Sequence, residues 1–145
     1  MTALRAISPR EASIFACLCD TVIAPEPLLP PVNETDAALF FDRWMARSPR
    51  PNRLGLRALL HVVELAPLAL GFRRRLRALG ATERAECLSK VERRAPAPLR
   101  QLTKLVKGMA FLAYYGDDAV MLRVGYDAEA NARRGRELRA AEGRP

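Results

Sequence analysis

One stretch constrains the fold more than any other: Pro98 to Tyr126, PLRQLTKLVKGMAFLAYYGDDAVMLRVGY. It is the longest clean helical pattern in the chain. At 100° per residue, Leu99, Leu102, Leu105, Val106, Met109, Leu112 and Ala113 share one face. Arg100, Lys104 and Lys107 lie opposite. Toward the end that polar face turns apolar, because Phe111 continues the cationic row and Tyr114 and Tyr115 flank it. A helix that begins amphipathic and ends apolar all round has to bury its end on two sides. The second neighbour is either more of this chain or another protein.

The remaining segments read as further helices. Aliphatic residues are mostly Ala and Leu, and half of the 145 residues are hydrophobic, which favours helix over strand. The expectation is an all-α, single compact orthogonal domain of about five to seven helices. Ser8-Pro9-Arg10-Glu11 is a helix start, with Ser8 as cap, Pro9 in the first turn and Glu11 placed for a capping box. Ile14, Phe15, Leu18 and Val22 form the inner face, and the prolines from Pro25 to Pro31 end the helix.

A second helix opens at Asn33 or Thr35, buries Leu39, Phe40, Trp44 and Met45, and stops before Ser48-Pro49. Trp44 reads as a core anchor. A third starts near Asn52 with Leu56, Leu59, Leu60 and Val63 inward and Arg57, His61 and Glu64 outward. Pro67 kinks or ends it. Phe72, Leu76 and Leu79 suit the inner side of a short helix. Gly80 to Arg94 is a fourth helix, with Ala85, Leu88 and Val91 inside. Asp117 caps a short helix, 118–124, and Asp127 caps a last one, 128–141. The division expected is residues 1–126 as the domain and 127–145 as a charged C-terminal helix or tail, since the last segment has almost no apolar face.

Chemistry is sparse. His61, the only histidine, has no accompanying nucleophile motif and reads as a solvated or salt-bridged surface residue. Cys17 and Cys19 point away from each other on a helix. With Cys87 they read as reduced, mostly core thiols rather than zinc ligands. Asp117-Asp118 reads as a capping pair. Phosphate loops, nucleophile elbows, zinc-protease pairs and calcium loops are absent from the sequence. No catalytic, cofactor-binding or metal-ligating residue is assigned.

Charge leaves more open. Lys and Arg number 24 against 16 Asp and Glu, a net charge of +8, which permits acidic proteins, nucleic acid or anionic lipid as partners. Arg73, Arg74, Arg75 and Arg77 could grip phosphate, although a solvated or ion-paired face is favoured. A basic nucleic-acid-binding or adaptor module is therefore the alternative reading. No apolar run reaches the roughly 18–20 residues that span a bilayer. The N-terminus resembles neither a signal peptide nor a twin-arginine leader. A cytoplasmic chain is expected, with export or peripheral membrane association only through a partner.

Several motifs together resemble one family. They are the Ser8-Pro9-Arg10-Glu11 opening, the exit Leu18-Cys19-Asp20-Thr21-Val22-Ile23-Ala24-Pro25, Phe72-x3-Leu76, and the helix bearing Arg84. Leu102-x6-Met109, Tyr114-Tyr115-Gly116-Asp117 and Val124-Gly125-Tyr126 complete the set. Over roughly residues 8–126 the chain resembles the gluconate 2-dehydrogenase subunit 3 family, the small helical subunits of glucose-methanol-choline type flavin dehydrogenases. It is also similar to the N-terminal helical region of long-chain alcohol oxidases. The resemblance implies a non-catalytic accessory subunit that binds and stabilises a large FAD-dependent alcohol, sugar or sterol dehydrogenase or oxidase. FAD is then expected on the partner and no cofactor on this chain. Exported members often carry a twin-arginine leader, from which this sequence departs. Partner contact is expected from Phe111, Tyr114, Tyr115 and Tyr126, and from Arg73 and Arg74.

Overall fold

A computed structural model describes residues 4–143. The described residues form seven α-helices and no strands, a compact all-α fold. The helices are α1 (Pro9–Ile23), α2 (Ala37–Arg47), α3 (Arg50–Ala69), α4 (Ala81–Arg94), α5 (Ala97–Tyr115), α6 (Asp118–Arg123) and α7 (Ala128–Ala141). Single 3-10 turns cover Val32–Glu34 and Leu76–Ala78.

The hub is α1, which packs against α2, α3, α4 and α5. Ile14, Phe15, Leu18 and Cys19 are buried on it, and Phe15 stacks on Phe41 of α2 with ring centroids 4.0 Å apart. The start of α1 is as its sequence dictates. Ser8 Oγ accepts from Glu11 N–H, and the Glu11 carboxylate accepts from Ser8 N–H at 2.7 Å. The stop is a left-handed Ala24, φ 45°, whose N–H bonds Asp20 O. Pro25 then cannot extend the helix.

Other boundaries shift from expectation. Helix α2 begins at Ala37, after the 3-10 turn, and buries Ala37, Phe41, Asp42 and Met45. Phe40 and Trp44 are only half-buried at the edge of the core, and Leu39 is half-buried too. Helix α3 runs through Pro67 to Ala69. This proline sits in the last turn, and its carbonyl accepts from Leu70 and Phe72 N–H, so it ends the helix without bending its middle. The arginine-rich segment after Phe72 is a bend followed by a 3-10 turn, not a helix. Leu76 and Leu79 are buried there, and Phe72 packs against the core from its edge. On α4, Cys87, Leu88 and Val91 point inward, whereas Ala85 is exposed.

Buried carboxylates do much of the tying. Asp42, from α2, accepts the N–H groups of Arg5, Ala6 and Ile7 at 2.8–3.1 Å. Burial alone would raise its pKa. The three backbone donors more than reverse that and hold the carboxyl below its ordinary value. Asp42→Asn keeps one acceptor oxygen and adds two donors facing donors. We expect it to cost about 1–3 kcal/mol in denaturant unfolding, and to speed amide exchange at residues 5–7 before that of α1. The cost is bounded because Arg5 is exposed and Ala6 only half-buried, so their N–H groups can reach water.

Candidate partner interface

The long helix α5 turns inward a face that keeps Val106, Met109 and Ala113 of the predicted one but is rotated away from most of its leucines. Its buried stripe is Thr103, Val106, Met109, Ala110, Ala113 and Tyr114. Small side chains at 103, 110 and 113 let α1 lie close, and close packing wins over the larger but bulkier leucine row. Thr103 Oγ1–H is satisfied by Leu99 O at 2.8 Å. Leu102, Leu105 and Leu112, expected in the core, are therefore exposed, Leu112 by 62%. At 100° per residue, Leu105, Gly108, Phe111, Leu112 and Tyr115 share one arc on the far side of the helix.

The aromatic end divides accordingly. Tyr114, expected at a partner surface, is instead fully buried, and its hydroxyl donates to Pro30 O at 2.6 Å. Burial raises its pKa. It locks the proline-rich loop onto α5 and offers nothing to another protein. Phe111 and Tyr115 do face solvent, 44% and 42% exposed. One helical turn apart, they stack at 6.2 Å with an interplanar angle of 6°, and Tyr115 sits edge-on to Tyr114 at 5.1 Å. Such a pair presents rigid apolar area with little rotamer freedom left to lose.

Apolar surface is exposed in two further places. Beyond α5, Leu122, Val124 and Tyr126 are exposed. At the other end, a groove of about 240 Å3 opens between α3, α4 and the start of α5. Val62, Ala66, Leu70, Val91 and Leu99 line it, with Lys90 and Arg94 at its edge. Helix α7 buries no residue at all.

Arg73 and Arg74 lie elsewhere, in an open cleft with Arg75, Arg77, Glu64 and Leu68. Arg77 Nε is 3.0 Å from the buried Glu64 carboxylate, and Arg74 reaches Glu83 at 3.6 Å. The ion-paired reading of this run thus holds for two of its four arginines. His61 and Arg57 both approach Glu11, at 3.4 and 2.7 Å. Glu64, expected on the outer face of α3, is buried. Sequence reasoning missed the burial of Glu11, Asp42 and Glu64, because an acidic residue on a helix reads as solvent-facing until its cationic or N–H partner is placed.

The thiols are mostly interior. Cys19 and Cys87 are buried, and burial pushes the Cys19 thiol up to about 12. Cys17 is half-buried, with Arg84 Nη1 3.0 Å from its sulfur and Arg84 Nη2 3.0 Å from Asp20. Asp117 caps α6 through Ala119 N–H and also accepts from Asp36 N–H at 2.8 Å. Among the described residues, no group of three or more His, Cys, Asp or Glu is arranged to hold a metal ion. No helix among them is long and apolar enough to cross a membrane.

Comparison with protein-family models, with curated proteins and with solved structures returns no match to this chain.

Proposed function

We propose that this chain is a non-catalytic small subunit that docks on a larger protein through the outer face of α5. The observation that carries this reading is the apolar arc Leu105, Phe111, Leu112 and Tyr115, exposed on a helix whose opposite face already fills the core. Burying each of these side chains contributes about 1–2 kcal/mol. Gly108 adds to the case. A glycine inside a helix costs about 1 kcal/mol relative to alanine, and a Cβ there would meet nothing within 4 Å. It leaves the backbone open to close approach by another helix.

The partner class follows from the sequence resemblance: a large FAD-dependent alcohol, sugar or sterol dehydrogenase or oxidase, with the flavin on that partner. Peripheral membrane association and export would both come through the complex. The nucleic-acid alternative is the weaker reading, since Arg77 and Arg74 are engaged by Glu64 and Glu83.

The test is co-purification from the host. Wild type is expected to bring down a large yellow protein. Leu105→Asp/Leu112→Asp is expected to lose it while keeping its melting temperature, because both side chains already face water. A stable, monodisperse wild-type chain with no flavoprotein bound sinks the proposal.

A further inference from the structure

Two arginine clusters flank α3, and only one is explained by the fold. The cluster after its C-terminus, Arg73 to Arg77, sits where the helix dipole favours cations and holds two ion pairs. The other surrounds a cleft of about 340 Å3 between the N-terminal segment and the first two turns of α3. Its lining is Arg5, Ala6, Arg50, Arg53, Leu54 and Arg57. Here the dipole opposes positive charge, and the first turn contains no acidic residue.

Not every guanidinium group here has an internal partner. Arg50 and Arg53 make no side-chain hydrogen bond or ion pair among the described residues. Arg57 is held at 2.7 Å by Glu11. Arg5 feels the charge of Asp42, but that carboxylate is buried and already accepts backbone N–H groups. The same two carboxylates fix the cleft walls. Asp42 pins the backbone of residues 5–7, and Glu11 pins the Arg57 guanidinium, so one wall and one of the four cations are pre-positioned.

We infer that this cleft binds the phosphoryl group of a soluble small molecule, such as a phosphate monoester or diphosphate. Guanidinium forks match phosphoryl oxygens in bidentate geometry. A volume of about 340 Å3 exceeds one phosphate and falls at the small end of metabolite sites. Leu54 and Ala6 supply an apolar wall for the organic part. The site is separate from the α5 face and does not rest on the accessory-subunit reading.

Pyrophosphate, titrated at constant ionic strength and followed by amide NMR shifts, is the probe. Saturable shifts are expected at residues 5–7 and 50–57. Arg50→Gln/Arg53→Gln is expected to weaken binding on the order of tenfold or more, and Arg73→Gln/Arg75→Gln to leave it unchanged. Without ligand, the first variant is expected to melt at or above the wild-type temperature, because it removes charges that the dipole disfavours. Non-saturating shifts, equal loss in both variants, a lowered melting temperature for Arg50→Gln/Arg53→Gln, or binding to phosphatidic-acid vesicles but not to pyrophosphate would each overturn the assignment.

Discussion

Glu11→Ala is expected to destabilise the fold by about 2–4 kcal/mol, the loss of a helix cap and of charge-assisted hydrogen bonds. The carboxylate is 1% exposed and ties two helices together. It closes the capping box of α1 through Ser8 N–H and Oγ–H at 2.7 and 2.9 Å. It accepts Arg57 Nε of α3 at 2.7 Å and lies 3.4 Å from His61 Nε2. Alanine would free one end of α1 and leave Arg57 without its counter-charge.

The same residue predicts an acid transition. Burial alone would raise the Glu11 pKa. Hydrogen bonds from Arg57 and Ser8, with the Arg57 charge, lower it from 4.5 to about 2. Because the folded pKa lies below the unfolded one, the unfolded chain binds more protons between the two. The contribution is therefore complete above pH 4.5 and is lost as pH falls toward 2, amounting to ~3 kcal/mol. Asp42, also held below its ordinary value, steepens the same acid limb. Unfolding free energy measured against pH should fall through this window in wild type and fall less in Glu11→Gln. Parallel curves for the two proteins would refute the assignment.

Tyr114→Ala is expected to cost about 3–5 kcal/mol, in the range for emptying a fully buried aromatic site. Tyr114→Phe should cost only about 1 kcal/mol, since Pro30 is partly open and its orphaned carbonyl can reach water. The contrast separates packing from the hydrogen bond. Hydrogen exchange across residues 24–34 should show which part of the loop loosens when the 2.6 Å bond from Tyr114 to Pro30 is removed. An alanine variant as stable as the phenylalanine one would mean that the ring is not a core residue.

Local signals carried far in this chain. Ser8-Pro9-Arg10-Glu11, the caps Asp117 and Asp127, and the inner residues of α1 and α3 were all legible, because each depends on neighbours within four positions along the chain. What failed was the choice of face where two faces were apolar. On α5 the predicted face held Val106, Met109 and Ala113 correctly, but Leu102, Leu105 and Leu112 drew it too far round, away from Thr103, Ala110 and Tyr114. On α2, Phe40, Phe41, Trp44 and Met45 surround the helix, and Phe41 wins only because Phe15 of α1 stands opposite.

The sequence by itself determined that this is an all-α chain, where most helices begin and end, and that no familiar catalytic motif is written in it. Tertiary structure alone decided which side of α5 is covered, that Tyr114 belongs to the core while Phe111 and Tyr115 do not, and that Glu11, Asp42 and Glu64 are interior. It also brought Arg5 beside Arg50 and Arg53. Periodicity can rank the faces of one helix. Which face is buried depends on the shape, size and charge of residues that arrive from distant segments, and that complementarity has no local signature.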